Sequence, residues 1–316
     1  MQSSKNKIII IATLITLTSL FSNTGQGISY AKDLRVAVIK SFGSTPFEET
    51  LSGFKESLKK EELEADFEIF SADGDPIKVR EAVQKIKHGD FSLVFTMGSL
   101  ATDNALSEIT NIPIISSMIL KDDKIKKTPN ATGVVLEFSI ETQLKCMQQI
   151  LPKGITIGTI YNSKENGKFI ETAAAIAKSM GYKFYAKEIN TPQDLPSALE
   201  SMANTVDVLW GIPDSMVLTP ETSKHILLFS LRNRIPFIGL SSAWTKAGAL
   251  YSLERNYNDI GIQCAELALS ILRNQKEHAT NPVSPRKALY SINFKTAQQL
   301  KIEIPENIIN GAIQIY

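Results

Sequence analysis

The side chains of this 316-residue chain that could do chemistry stand singly, in loops that follow strand-like runs, and do not gather into a reactive cluster. Ser99 lies in Met97-Gly98-Ser99-Leu100-Ala101, where a helix opens. Free backbone N–H groups and the positive end of the helix dipole suit a carboxylate there, and Ala101 shares that helix start. An N-cap serving only its own helix explains Ser99 equally well. Asp214 follows Trp210-Gly211-Ile212-Pro213 and is either the charge-assisted partner of an ammonium group at a cleft wall or the cap of the next turn. Asn162 and Asn166 offer amide hydrogen bonds at another strand end, beside Glu165, which also fits a first-turn acid complementing a helix dipole. Phe42 and Trp244 could supply planar walls, although Trp244 could equally be a surface anchor between lobes. Ser44, Thr45 and Ser117 add hydroxyls. This is an inventory for reversible capture of a small molecule.

Catalytic constellations are missing from the sequence. His88, His225 and His278 have no metal-ligand spacing, and no phosphate loop, dinucleotide glycine pattern or Gly-x-Ser-x-Gly elbow occurs. Cys146 and Cys264 fall in helix bodies, where separate buried thiols are expected more than a disulfide. The expectation is a protein without enzymatic activity or cofactor.

The elements that must carry these loops repeat one unit, a β-branched run followed by an amphipathic helix. Strands are expected at Leu34 to Ile39, Asp66 to Phe70, Ser92 to Thr96 and Ile112 to Ser116. The helix Pro46 to Lys60 carries Phe47, Leu51, Phe54 and Leu58 on one face, and Asp75-Pro76 opens the next. The alternation restarts after Leu151-Pro152, with strands at Ile155 to Ile160, Lys183 to Lys187, Val206 to Trp210 and Pro236 to Leu240. Strands separated by single helices make parallel sheets, so the fold class is α/β with two similar doubly wound lobes. The tail holds too little for a third lobe. Strand-like Ala247 to Leu253 and Ala288 to Phe294 flank a helix from Asn258 to Leu272, as if the chain returned to the first lobe and came back, giving three hinge strands. The expected division is 33–136 plus 249–292 for the N-terminal lobe and 137–248 plus 293–316 for the C-terminal lobe, with the ligand in the cleft between them.

Residues 1–31 read as an export signal. Lys5 and Lys7 precede an apolar run from Ile8 to Phe21, and Ser29-Tyr30-Ala31 offers small residues at a cleavage site that would leave Lys32 first. An uncleaved anchor is the alternative, and no cysteine near the exit could carry a lipid. Removing the signal takes two lysines and no acid, moving the formal charge from +1 to −1. Neither value favours nucleic acid or anionic lipid. With 43% hydrophobic and 21% charged residues, the remainder has an ordinary globular composition.

In order and spacing, several segments together resemble one family. They are Pro129-Asn130-Ala131-Thr132-Gly133-Val134, Leu151-Pro152, Ile160-Tyr161-Asn162-Ser163-Lys164-Glu165-Asn166, Pro213-Asp214, Lys246-Ala247-Gly248-Ala249-Leu250 and Ile292-Asn293-Phe294. The family is the ABC-transporter substrate-binding proteins of the type I periplasmic-binding fold, among whose relatives are tryptophan- and tyrosine-type receptors, and the resemblance runs from Leu34 to Ala312. It implies a monomeric periplasmic solute-binding component of an ABC importer, holding an amino acid and handing it to a permease and its ATPase, while Phe42 and Trp244 lean towards an aromatic or other planar side chain. It also favours ligand contact at Ser99. A periplasmic sensor presenting its bound form to a membrane receptor would have the same sequence, whereas a transcriptional regulator would need a helix-turn-helix where the leader stands. One departure is Lys121-Asp122, where relatives carry Asp-Pro after the fourth strand. Asn130-Ala131-Thr132 matches a glycosylation sequon but reads more simply as a turn.

Overall fold

The computed structural model describes residues 34–151, 154–273 and 281–316. The leader expected over residues 1–31, with its exit at Ser29-Tyr30-Ala31 and new terminus at Lys32, lies outside the described residues, as do Pro152 and His278.

The first lobe runs β1 (Leu34–Lys40), α1 (Thr45–Lys60), β2 (Ala65–Ser71), α2 (Pro76–Lys87), β3 (Leu93–Met97), α3 (Ser99–Glu108), β4 (Ile114–Ser117) and β5 (Ala131–Val134). The five strands pair in parallel in the order β2-β1-β3-β4-β5. Alternation along β1 divides its side chains between two cores. Val36 and Val38 face the cluster with Leu51, Phe54 and Phe95, while Ala37 and Ile39 face the one with Val79, Val83 and Ala105. A sheet buried on both faces explains why these strands read as continuous apolar runs.

The second lobe continues with α4 (Ile140–Ile150), β6 (Thr156–Tyr161), α5 (Ser163–Ser179), β7 (Lys183–Glu188), α6 (Leu195–Met202), β8 (Val208–Trp210), α7 (Pro220–Asn233), β9 (Phe237–Gly239), α8 (Ser242–Ala247) and β10 (Tyr251–Arg255). After α9 (Tyr257–Leu272) come β11 (Ala288–Ile292), α10 (Phe294–Leu300), α11 (Glu306–Gly311) and β12 (Gln314–Ile315). The strand order is β12-β11-β10-β9-β8-β6-β7, parallel except where β11 runs against β10.

The tail differs from the expected division. Residues 251–255 and 288–292, assigned above to the N-terminal lobe, are strands of the second sheet, because Tyr251, Leu253 and Ile292 pack in its core. Only α9 and the segment after it return. Ile260, Cys264, Ala265 and Ala268 bury against Val36, Val38, Phe54 and Phe95, and Val283 bridges to Val134 at the edge of the first sheet. The chain therefore passes between the sheets three times, after β5, after β10 and before β11. Ala131–Val134 is itself a fifth strand, and Asn130 serves as the turn before it, donating to the carbonyls of Ile109 and Ile112 at 3.0 and 2.7 Å. Both cysteines are free thiols. Burial pushes the Cys264 thiol up to about 12. Among the described residues no helix is long and apolar enough to cross a membrane.

Helix α9 meets α1 at a distance that only glycine allows. A Cβ on Gly53 would lie 2.1 Å from the Asn258 carbonyl oxygen, and one on Gly261 would lie 2.0 Å from that of Thr50. Gly261→Ala is expected to destabilise the protein by about 1–3 kcal/mol through overpacking, seen as a lower urea midpoint at unchanged slope.

Candidate functional site

Strand order reverses at β1/β3 in the first sheet and at β6/β8 in the second, so each lobe opens a crevice beyond the carboxyl ends of those strands. By that rule the loops after β1 and β3 edge the crevice of the first lobe, and those after β6 and β8 that of the second.

In the first lobe the loop after β1 is open. Phe42 is 52% exposed and meets Phe47 edge-on at 6.2 Å, while Ser44 and Thr45 are exposed. Ser44 is the N-cap of α1 but makes no side-chain capping bond, which leaves its hydroxyl free for other partners. Ser99 is the first helical residue of α3, not its cap. That position belongs to Gly98, at φ +89°, where a side chain would collide with Ser41. Ser41 is buried, and its Oγ accepts the Ala101 N–H at 3.0 Å from across the crevice floor. Ser99 thus stays exposed, Ala101 is buried behind it, and Ser41 takes the capping role that Ser99 was one candidate to fill. Ser117 points away from the crevice. It is fully buried, donates to the Val134 carbonyl at 3.2 Å and sits against the Cys264 thiol under α9. The next residue, Met118, holds φ +59°, strained for a side chain of this size, and its sulfur lies 3.4 Å from the Thr50 hydroxyl.

In the second lobe the expected polar residues come together, but on one another. The Asp214 carboxylate is 4% exposed. One oxygen accepts the Asn162 N–H at 2.8 Å and the Asn166 amide at 2.9 Å; the other accepts the Met216 and Val217 N–H groups, each at 3.0 Å. A carboxylate has about four acceptor positions, and all four are occupied. Asn162 caps α5 through Lys164 N–H and donates to the Ile189 carbonyl, Asn166 also holds the Pro213 carbonyl, and Glu165 accepts from the backbone and hydroxyl of Ser215. The group locks the loops after β6 and β8 together, and leaves Asp214 no free acceptor for a ligand ammonium. Trp244 packs edge-on against Phe237 at 5.5 Å, in the core beneath α6 and α7, and does not line the interlobe hollow.

That hollow lies where the chain crosses between lobes. Leu120 closes it from the first lobe, Glu137 and Phe138 from the first crossing, and Trp210, Tyr251 and Arg255 from the second sheet. The Trp210 indole N–H is fixed by Gln143 at 3.2 Å. Arg255, the last residue of β10, donates through Nε to the Leu136 carbonyl at 2.9 Å and lays its guanidinium over the Phe138 ring at 5.3 Å. Its two terminal nitrogens, and the half-buried carboxylate of Glu137, make no hydrogen bond or ion pair with described residues. Desolvation raises the Glu137 carboxyl above its ordinary value, helped by Asp122 and Asp123 and opposed by Lys121 and Arg255. The departure at Lys121-Asp122 therefore bears on this floor electrostatically, with Asp122 also paired to Lys126 at 2.8 Å. None of these hollow-lining side chains is conspicuous in the sequence. Their position at the ends of crossing segments was the available signal. Among the described residues no group of three or more His, Cys, Asp or Glu side chains could hold a metal ion.

Two doubly wound lobes joined by three crossings are the architecture of the type I periplasmic-binding fold. The profile of the family described as ABC transporter substrate binding protein matches residues 35–316, and the chain belongs to that family. A tyrosine-binding protein of Clostridioides difficile is 25% identical over 71% of this chain, which spans 65% of that relative's length, just under two thirds. Among solved structures, the ligand-free, open form of a Clostridium difficile substrate-binding protein with adhesive properties superposes with a TM-score of 0.71 at 20% identity, over 89% of this chain and 98% of that one. An ABC domain from Streptococcus pneumoniae in complex with L-Trp gives 0.56 at 21% identity, over 90% and 100%. The family is of a substrate-binding, non-catalytic kind.

Two measurements check the site. Asp214→Ala removes the acceptor of four hydrogen bonds and is expected to lower unfolding free energy by about 2–4 kcal/mol in chemical denaturation. Glu137→Gln should act in the opposite sense at neutral pH. A carboxyl whose folded value is raised binds its proton more tightly when folded, so the parent loses stability as pH rises from its ordinary 4.5 through the raised value. The glutamine variant has no such loss. It should melt higher than the parent at pH 7, with the gap closing below pH 4.5, as read by scanning calorimetry across pH.

Proposed function

We propose that this chain is the solute-binding component of an ABC importer, acting outside the cytoplasm, and that its interlobe cleft takes an amino acid with an aromatic or other large apolar side chain. The observation that carries the reading is the hollow itself, backed by the almost fully buried Phe138, Trp210 and Tyr251 and carrying both a cationic and an anionic group on its floor. Apolar walls with a few oriented polar groups are the usual make-up of a small-molecule site. Two relatives support the ligand class, one named for tyrosine binding and one solved with L-Trp.

Phe42, Ser44, Thr45 and Ser99 stand exposed where the first lobe could close over such a ligand. Closure would shift the population from open to closed, and a permease would read the closed form. Calorimetric titration of the purified protein with the twenty amino acids is expected to find saturable binding of at least one aromatic member at a Kd of about 1 μM or tighter, with about tenfold weaker binding by Phe42→Ala. Absence of binding by every amino acid overturns the ligand class.

A further inference from the structure

The two charges on the floor of the hollow are the least explained feature of the fold. Glu137 and Arg255 lie on different crossings, line the same hollow and interact through space, yet no hydrogen bond or ion pair joins them. Arg255 is not mobile in the ordinary sense of a surface arginine. Leu136 holds its Nε and the Phe138 ring lies beneath it, so the unbonded edge with both terminal nitrogens is held in place. Half-buried charge whose hydrogen-bonding capacity is left partly unused is unfavourable, and the pair could have been relieved by contact with each other.

From this arrangement the geometry points to Glu137 and Arg255 as the residues that recognise the α-ammonium and α-carboxylate of a zwitterionic amino acid. The carboxylate takes the free edge of the guanidinium in two parallel hydrogen bonds, and the ammonium donates to Glu137. A zwitterion carries opposite charges on one carbon, a short distance apart, which matches an anion and a cation held near each other but not in contact. Dianionic or dicationic ligands would leave one floor charge opposed. The apolar lining of the hollow is then left to the side chain. The inference rests on the amino-acid reading above, and it moves the ammonium partner from Asp214, whose four acceptor positions are taken, to Glu137.

The test uses L-tryptophan and L-tyrosine together with 3-indolepropionate, which lacks the amine, and tryptamine, which lacks the carboxylate. Each is titrated calorimetrically into the parent, Glu137→Gln and Arg255→Gln. The expected result is that Glu137→Gln weakens amino-acid binding at least about tenfold while changing 3-indolepropionate binding less than about twofold. Arg255→Gln should weaken the amino acids similarly and spare tryptamine. Because Glu137→Gln is expected to stabilise the fold at neutral pH, its loss of affinity would not reflect unfolding. If Arg255→Gln fails to fold, the Glu137 comparison decides alone. Should the parent bind an amino acid and Glu137→Gln bind it as tightly, the assignment is overturned while the amino-acid reading stands. Equal losses for amino acid and 3-indolepropionate also overturn it. If the parent binds no amino acid, the reading of the ligand class fails and takes this assignment with it.

Discussion

Helix α9 lies on α1 with Gly53 and Gly261 admitting backbone to within direct contact, and the path of the chain between the two sheets depends on that packing. The first sheet has two apolar faces, and its own helices supply α1 to one and α2 with α3 to the other. Val36, Val38, Phe54 and Phe95 would remain partly uncovered without Ile260, Cys264 and Ala268 from the far end of the chain. Burying that surface requires the chain to leave the second sheet after β10 and return before β11. The return is secured by charge as well as by apolar burial. Asp259, on α9 and almost fully buried, holds Arg286 at 3.0 Å and Lys287 at 2.8 Å on the third crossing. Three crossings, and therefore a cleft with a floor made of crossing segments, follow from the need to finish one core with a distant helix.

A different constraint shapes the wall of the second lobe. Parallel strands end in loops with unpaired backbone donors, and the loops after β6 and β8 satisfy theirs on one carboxylate. Asp214 collects two donors from its own turn and two from the start of α5, so the wall is a rigid unit. Rigidity of this kind favours a binding site, since less ordering is left to be done when a ligand arrives. It also separates tasks. The residues that hold the wall are saturated, and those that face the hollow, Glu137 and Arg255, keep hydrogen-bonding capacity in reserve.

Much of this architecture was legible in the sequence, for a physical reason. Buried parallel strands read as unbroken β-branched runs, helices show their apolar stripes, and the two-lobed α/β class follows from their alternation. The tail was harder. Tyr251 and Leu253 are apolar in either lobe, so nothing local tells which sheet β10 joins. The division at 249–292 therefore gave the first lobe two strands that belong to the second. At the candidate site, sequence could not tell a ligand group from a capping group. Asp214, Asn162 and Asn166 do converge, and what they converge on is each other. Ser117 shows the limit set by strand alternation. One residue along, Met118 leads into the cleft-side loop, while Ser117 faces Cys264. Glu137 and Arg255 stayed hidden because ordinary charged residues acquire meaning only from where the crossings place them.

The placement of those charges on separate crossings bears on how such a protein could respond to what it binds. A ligand shifts a conformational equilibrium only by its difference in affinity between the states. Contacts confined to one rigid lobe make no such difference, because they are identical whether the cleft is open or shut. Glu137 belongs to the segment after β5 and Arg255 to the end of β10, and Arg255 already grips the first crossing through Leu136. A group engaging both charges would couple to the relative setting of the two segments about which the lobes must turn. The unused hydrogen-bonding capacity of Glu137 and of the terminal nitrogens of Arg255 is what a zwitterion would take up. The floor would then read ligand chemistry, while the exposed loops of the first lobe, with Phe42 and Ser99, would add contacts only on closure.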